Sequence, residues 1–380
     1  AYLLLEVAPV PGKTLNAVFL ARATTGWNSE VARLFVLFSL LSEAVLLAVA
    51  AQTGFLGGPR VLANMSLDRW FPTRFSLLSD RLVTQNGILI MGGLSLIIMI
   101  LTGGSVRLLV VLYSINVFIT FTLSQLGMVR HGWRSRRRQK AWLWKLSINS
   151  VGLVLTAFIL VSMVIFKFFE GGWVTLLITA ALIVLAILIR RHYDGVAMQL
   201  HRLDELVERA EARMEGAAGG EAAHIRAPPV FDSASRTAGV LGNGFNGTGL
   251  HTLLSVMRLF GGGYRNFVFL EIGALDVGNF KGPEEVEHLH AQVRRDLDRY
   301  VQFVRWEGFH GEAVSEIGVD VVDEVERIAP SILQSHPGAV FFGGKLLFAN
   351  ESIFDWLLHN QIVFAVQRRL HRQGVPFVIL

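Results

Sequence analysis

Long apolar runs fill the first half of the chain, and shorter alternating segments fill the second half. A helix needs about 20 apolar residues to cross a bilayer core. Five runs meet or approach this length, at residues 31–54, 87–103, 106–129, 147–166 and 172–189. The sequence therefore predicts an α-helical membrane bundle with about five spans in its first 193 residues.

The connections between these runs differ in charge. Residues 130–145 hold seven Lys or Arg residues and no acid, and "RRHY" follows the last run, whereas "TGGS" and "KFFEGG" are short and nearly neutral. Basic loops stay on the cytoplasmic side, so the C-terminal part is expected in the cytoplasm. The basic loop could bind anionic lipid head groups, but topology alone explains its charge. We expect no binding of nucleic acid.

The composition supports a membrane protein and excludes several kinds of cysteine-dependent site. The chain of 380 residues is 52% hydrophobic and 17% charged, with a mean hydropathy of +0.48. It has no cysteine, which excludes thiolate zinc sites, iron–sulfur clusters and cysteine nucleophiles. The chain begins without Met and ends on an apolar run, so we expect an internal piece of a longer protein.

One apolar run carries a carboxylate. Glu43 lies near the middle of "LFSLLSEAVLLAVAAQTGF" and shares a helical stripe with Ser39, Ala50 and Thr53. A carboxylate at bilayer depth costs about 2.5–3.5 kcal/mol on insertion scales, and such residues often mark proton or cation pathways. We predict a transport or coupling site at Ser39, Glu43 and Thr53. The alternative is a structural carboxyl that bonds to another helix.

A second polar stripe lies in the third run. Tyr113, Asn116, Thr120 and Ser124 follow one another at helical spacing. They are candidates for the lining of an interior pathway. Equally, such residues often serve only as hydrogen-bond partners between membrane helices.

The connection after the Glu43 run carries a family resemblance. "PRVLANMSLDRWFP", "SDRLVTQNGIL" and, earlier, "PVPGKTLNAVF" resemble segments of permeases of the amino acid–polyamine–organocation superfamily. They are especially similar to the bacterial branch that includes proton-coupled potassium importers with a cytoplasmic C-terminal domain. From its residues alone, this connection is also expected to form a short helix over 59–70 that lies along the membrane face.

The resemblance implies a twelve-helix inverted-repeat fold in a bacterial cytoplasmic membrane. This chain would supply helices eight to twelve, and Glu43 would face the substrate site from the eighth. The first and sixth helices, whose unwound stretches hold the substrate in such transporters, would lie outside the chain.

The second half of the chain predicts a different fold. Residues 194–235 read as a charged amphipathic helix and a linker rich in Gly, Ala and Pro. From residue 236 to 380, apolar strand patterns alternate with helical ones, which indicates a doubly wound parallel α/β sheet. The expected strands cover 237–241, 266–273, 300–306, 338–344 and 375–380, and the expected helices cover 247–260, 283–300, 316–335 and 351–373.

A glycine-rich turn follows the first expected strand. Gly242, Gly244 and Gly247 fit G-x-G-x-x-G, and Glu271 stands where an acid would bind a ribose. The domain also resembles universal-stress-type nucleotide-binding folds, which would make a bound nucleotide regulatory. Three alternatives stay open: a regulatory nucleotide, a dinucleotide cofactor, and a glycine turn without a ligand.

The membrane pattern together with the family resemblance implies a secondary active transporter of amino acids or cations, working by alternating access with proton coupling. We expect no enzyme activity, catalytic residue, cofactor or metal site; Glu284 and His288 lie four residues apart on an expected solvated helix. The expected partners are an ion or small-molecule substrate, membrane lipid and a regulatory nucleotide, and a homodimer stays open. A membrane-anchored nucleotide sensor is the alternative, and an NAD-linked oxidoreductase ranks last.

Overall fold

In the part of the chain that the structure describes, six α-helices come first, and a five-stranded sheet with its connecting helices follows. The computed structural model describes residues 2, 5–8, 10, 12–136, 142–218, 229–346, 358–359 and 361–380. The helices of the first part are α1 (Leu15–Ala23), α2 (Ser29–Leu67), α3 (Gln85–Leu101), α4 (Val106–Arg134), α5 (Trp142–Lys167) and α6 (Trp173–Ala218).

Each of the five predicted spans coincides, to within two residues, with part or all of one of the helices α2 to α6. Among the described residues, three helical stretches are long and apolar enough to cross a membrane: Ser29–Leu67, Val106–Arg134 and Trp142–Met214, the last of which contains α5 and most of α6. Helix α3 is shorter, with 17 residues. The prediction of a multi-pass membrane protein is confirmed.

Helix α2 is longer than the apolar run that predicts it. It continues through Pro59 to Leu67, giving 39 residues and a length of about 58 Å. The expected separate helix over 59–70 is therefore wrong. Pro59 is buried, and α3 approaches it so closely that a Cβ on Gly87 would lie 2.9 Å from its side chain. The helix thus continues through a proline, which usually bends or ends a helix, at the point where α2 packs against α3.

Helices α5 and α6 are joined by the tight turn Phe168–Gly172. Gly171 has φ of 108°, which favours glycine, and Glu170 forms ion pairs with Lys167 at 3.0 Å and Arg107 at 3.2 Å. The turn and the start of α4 are thus fastened together at one end of the bundle.

Helix α6 connects the two parts without a break. Its 46 residues include both the last apolar run and the amphipathic segment expected over 198–214, over a length of about 69 Å. Near its C-terminal end, Ala210 is buried in the core of the α/β part. The proposed domain limits at 193 and 235 stay predictions; the first of them falls inside this helix.

The sheet is parallel throughout, with strand order β3-β2-β1-β4-β5. Its strands are β1 (Arg236–Gly242), β2 (Tyr264–Ala274), β3 (His310–Gly318), β4 (Val340–Gly343) and β5 (Phe377–Ile379). The connecting helices are α7 (Gly247–Leu259), α8 (Pro283–Trp306), α9 (Val321–Ser335) and α10 (Gln361–Arg372).

Apolar side chains cover both faces of this sheet. The end of α6 packs with α7 and α8 over one face, where Phe267 and Phe269 of β2 point. Helices α9 and α10 pack over the other face, which receives the alternate residues Val268 and Leu270. This arrangement is the predicted doubly wound parallel α/β sheet.

The third expected strand, over 300–306, is wrong. Those residues form the last turns of α8, and the third strand is His310–Gly318. Tyr300, Val301, Phe303 and Val304 are all buried, at the i, i+1, i+3 and i+4 spacing of one helix face. A short run of bulky apolar residues suits a strand and a buried helix end alike, and tertiary packing decided between them.

Candidate functional site

Glu43 lies in the membrane part with one polar partner from another helix. The Asn16 side-chain amide, on α1, donates a hydrogen bond of 2.6 Å to Oε1 of Glu43. The Tyr2 hydroxyl in turn donates to Oδ1 of Asn16. Among the described residues, Oε2 of Glu43 has no hydrogen-bond partner. The carboxylate is therefore held by one oxygen and leaves the other one available.

The stripe predicted around Glu43 is only partly sheltered. Ser39 and Glu43 are half-buried, whereas Thr53 is exposed and its hydroxyl donates to the carbonyl of Val49, 3.2 Å away on its own helix. Ser39 and Glu43, one helical turn apart, are thus the sheltered pair. A transport role for the stripe stays a prediction.

The second polar stripe makes contacts of another kind. Asn116 on α4 accepts a hydrogen bond of 2.8 Å from the hydroxyl of Thr179 on α6, and the Thr120 hydroxyl donates to the Asn116 carbonyl at 2.9 Å. Tyr113 is 70% exposed. The first contact joins two membrane helices, whereas the second lies within α4. In the part of the chain that the structure describes, no hydrogen bond or ion pair joins α2 to α4, so the two predicted stripes do not converge there.

The glycine turn and Glu271 do come together in the α/β part. Gly242 of β1 pairs with Glu271 of β2, and the Gly244 amide donates a hydrogen bond of 2.9 Å to Oε1 of Glu271. Gly244 has φ of +81°, a conformation that favours glycine. A second carboxylate, Asp296 of α8, accepts from the backbone amide of Phe245. Two amides of the turn are thus already bonded to side chains of the protein.

The rest of the turn is also covered by the protein itself. Asn246 caps α7 by accepting a hydrogen bond of 2.9 Å from the Gly249 amide, and the Tyr300 hydroxyl donates to the Gly244 carbonyl at 3.0 Å. Leu203 of α6 lies so close to Gly247 that no Cβ would fit there. The α7 N-terminus, where a Rossmann fold binds pyrophosphate, is therefore packed against α6.

Burial determines the electrostatics of this turn. Desolvation raises the pKa of Glu271 to about 7, although the Gly244 amide opposes the shift, and nearby Asp296 adds repulsion. Burial also raises the pKa of Asp296 and of Tyr300. Oε2 of Glu271 is buried without a hydrogen-bond partner in the described structure. When these carboxylates are ionised they repel a phosphate, so nucleotide binding at this turn stays a prediction.

Three residues of these two candidate sites were not predicted from the sequence. Asn16 is one amide in the apolar run "LNAVFLA", and an isolated amide there is the signal that could have paired it with Glu43. Asp296 and Tyr300 belong to α8, far along the chain from the glycine turn. Only the packing of α8 on the sheet brings them to it.

The membrane part also matches known proteins. A family model described as "Amino acid permease" matches residues 11–189. Residues 11–189 are thus similar to that family. The predicted resemblance to the amino acid–polyamine–organocation superfamily is thereby confirmed, and the segment holds both Asn16 and Glu43.

A curated relative has a more specific name. The potassium transporter KimA of Bacillus subtilis (strain 168) is 36% identical over 162 residues, which make up 43% of this chain and 26% of KimA. The match thus spans about a quarter of the length of that relative. The family description and the name of the relative both refer to transport.

Proposed function

We propose that the chain is part of a secondary active transporter that moves potassium across a bacterial cytoplasmic membrane. The observation that carries this proposal is the 36% identity to a potassium transporter. The permease family by itself leaves amino acids and cations open as substrates. A cation fits the polar chemistry around Glu43, where a carboxylate faces an amide and a hydroxyl.

Glu43 is the proposed coupling residue. Asn16 fixes one carboxylate oxygen, and the other oxygen is the atom that would hold a proton or face a cation. A carboxylate in the membrane is stabilised when a proton or a cation neutralises it. Protonation and release at Glu43 would therefore favour different states of an alternating-access cycle. Ser39, one turn away, would add a hydroxyl ligand.

The α/β part is the proposed cytoplasmic regulatory domain. The basic connection after α4 and the Arg190–Arg191 pair in α6 support this side of the membrane, because positive charge is retained in the cytoplasm. A nucleotide is the proposed regulator. The parallel sheet with a glycine turn after β1 supports the proposal of a nucleotide. Nucleotide binding there would depend on whether the carboxylates at the turn are protonated.

Potassium uptake by the full-length parent protein tests the function. A strain without its own potassium importers would express the parent or its Glu43→Gln variant at equal membrane levels, and growth at limiting potassium would be scored. We expect growth with the parent and loss of growth with Glu43→Gln. The control is Glu30→Gln, because Glu30 lies on the same helix with a 73% exposed side chain.

Each other outcome has a definite meaning. Growth with neither protein contradicts potassium as the substrate and leaves the amino acid alternative, which uptake of labelled amino acids then tests. Growth with both proteins keeps the ion and removes Glu43 from the mechanism. Loss of growth in Glu30→Gln as well would show that any carboxylate change in α2 impairs the protein.

A further inference from the structure

The connection between α2 and α3 pairs with the α/β part through backbone hydrogen bonds. Leu77 and Asp276 form an antiparallel bridge. The Val277 amide donates a hydrogen bond of 3.0 Å to the Ser76 carbonyl, and the Leu78 amide donates to the Leu275 carbonyl at 3.4 Å. We call residues 76–78 and 275–277 the dock.

The dock is a packed surface as well as a pair of hydrogen bonds. Ser76 is 5% exposed and Leu78 is 9% exposed. The end of α2 takes part, because the side chain of Leu67 lies so close to Gly278 that an added Cβ would be only 3.3 Å from it. A buried backbone pairing of this kind holds one orientation of its two segments, since a shift by one residue would leave amides unpaired.

Helix α6 holds the same connection from another side. The guanidinium of Arg190 donates a hydrogen bond of 2.6 Å to the Asp68 carbonyl and lies 5.2 Å from the ring centre of Trp70. The buried Tyr193 hydroxyl accepts a hydrogen bond of 3.4 Å from the Thr73 amide. The connection is thus held by α6 and by the α/β part together.

The two elements that meet at the dock lead to the two candidate sites. Toward the membrane, α2 is continuous from Leu67 back to Glu43, a distance of about 36 Å along a single helix. Toward the sheet, Leu275 directly follows β2, and Glu271 lies four residues before it on that strand. Glu271 is the residue that binds the Gly244 amide of the glycine turn.

We propose that the dock is the route by which the α/β domain controls the transport helix α2. A change at the glycine turn would move Glu271 and the end of β2, and the paired backbone of the dock would pass that movement to the end of α2. This inference rests on the proposed transport function for its physiological meaning, whereas the mechanical coupling itself can be measured without transport.

A reversible cross-link at the dock tests the coupling. These 380 residues contain no cysteine, so Leu77→Cys with Asp276→Cys introduces a single pair among them. Any cysteine elsewhere in the parent would first be replaced by serine. Directly paired residues of antiparallel segments have Cα atoms about 4.5–5.5 Å apart, which is within the range of disulfides. The full-length parent with both changes would be oxidised and then reduced, with the unchanged parent and each single variant as controls.

Two measurements follow the cross-link. Hydrogen exchange would be recorded over residues 60–70 at the end of α2, and potassium uptake would be recorded in reconstituted vesicles. We expect a disulfide within one chain, slower exchange over 60–70 and about a tenfold loss of uptake in the oxidised form, all reversed by reductant. The controls should show none of these changes.

Two outcomes would contradict the coupling through the dock, and a third would distinguish it from the proposed transport function. Failure of the pair to cross-link would show that the dock does not form in the protein. A cross-link that leaves both exchange and uptake unchanged would make the dock a passive contact. If the unchanged parent moves no potassium while the cross-link still slows exchange over 60–70, the proposed substrate fails and the coupling stands.

Discussion

The Glu271→Gln change tests whether a buried carboxylate sets the stability of the glycine turn. Glu271 accepts a hydrogen bond of 2.9 Å from the Gly244 amide, and its other oxygen is buried. A glutamine keeps an oxygen acceptor for Gly244 and removes the negative charge beside Asp296. The variant therefore separates the cost of burying a charge from the gain of the hydrogen bond.

The magnitude follows from the pKa of Glu271 in the folded protein. Burial raises this pKa from 4.5 to about 7. One pKa unit corresponds to about 1.36 kcal/mol, so ionised Glu271 lowers the free energy of unfolding by on the order of 3 kcal/mol. This cost is absent below the unfolded pKa, grows as pH rises through the interval between the two values, and is complete above about pH 7.

Thermal unfolding of the full-length parent across a pH series is the assay. We expect Glu271→Gln to match the parent near about pH 4, below the unfolded pKa, and to be more stable by up to about 3 kcal/mol near about pH 8. Hydrogen exchange over β2 would place the difference in the sheet. The matched control is Glu284→Gln, an exposed carboxylate at the start of α8.

The reasoning would be refuted by a stability difference that does not change with pH, since that would show no difference in proton binding. A variant that is less stable than the parent at about pH 8 would also refute it. In that case the ionised carboxylate would be stabilising, and the hydrogen bond to Gly244 would outweigh the cost of burial.

Two further predictions concern contacts of the same domain. Gly247→Ala should destabilise the domain by about 1–3 kcal/mol, because the new methyl group collides with Leu203 of α6. The control is Gly195→Ala in α6, where a new methyl group meets no atom within 4 Å and should stabilise the helix by up to about 1 kcal/mol. If both variants changed the thermal unfolding temperature equally, the packing of Leu203 on Gly247 would be contradicted. Tyr300→Phe should cost about 0.5–1.5 kcal/mol, because the partly buried carbonyl of Gly244 loses its 3.0 Å hydrogen bond. An unchanged thermal unfolding temperature would contradict that hydrogen bond.

The membrane part was predictable from the sequence to the level of its helices. Apolar length alone placed five helices, because a helix is the simplest way for a chain to satisfy its backbone in lipid. Length could not show that α2 continues through Pro59, because a proline usually ends or bends a helix, nor that Gly87 of α3 packs against the proline ring. Nor could it show that Asn16 bonds to Glu43, because the two lie on different helices.

In the α/β part, too, some features could be predicted from the sequence and others could not. Alternation of strand and helix patterns determined the parallel sheet, and the glycines with Glu271 were correctly placed around one turn. The sequence by itself could not assign residues 300–306 to a helix, because a short apolar run has no decisive period. Tertiary structure alone decided that Asp296 and Glu271 bond the amides of the turn, that Leu203 covers Gly247, and that the α2–α3 connection meets β2. The physical reason is that local patterns specify which face of an element is apolar, whereas partners distant in the chain are chosen only when those faces pack.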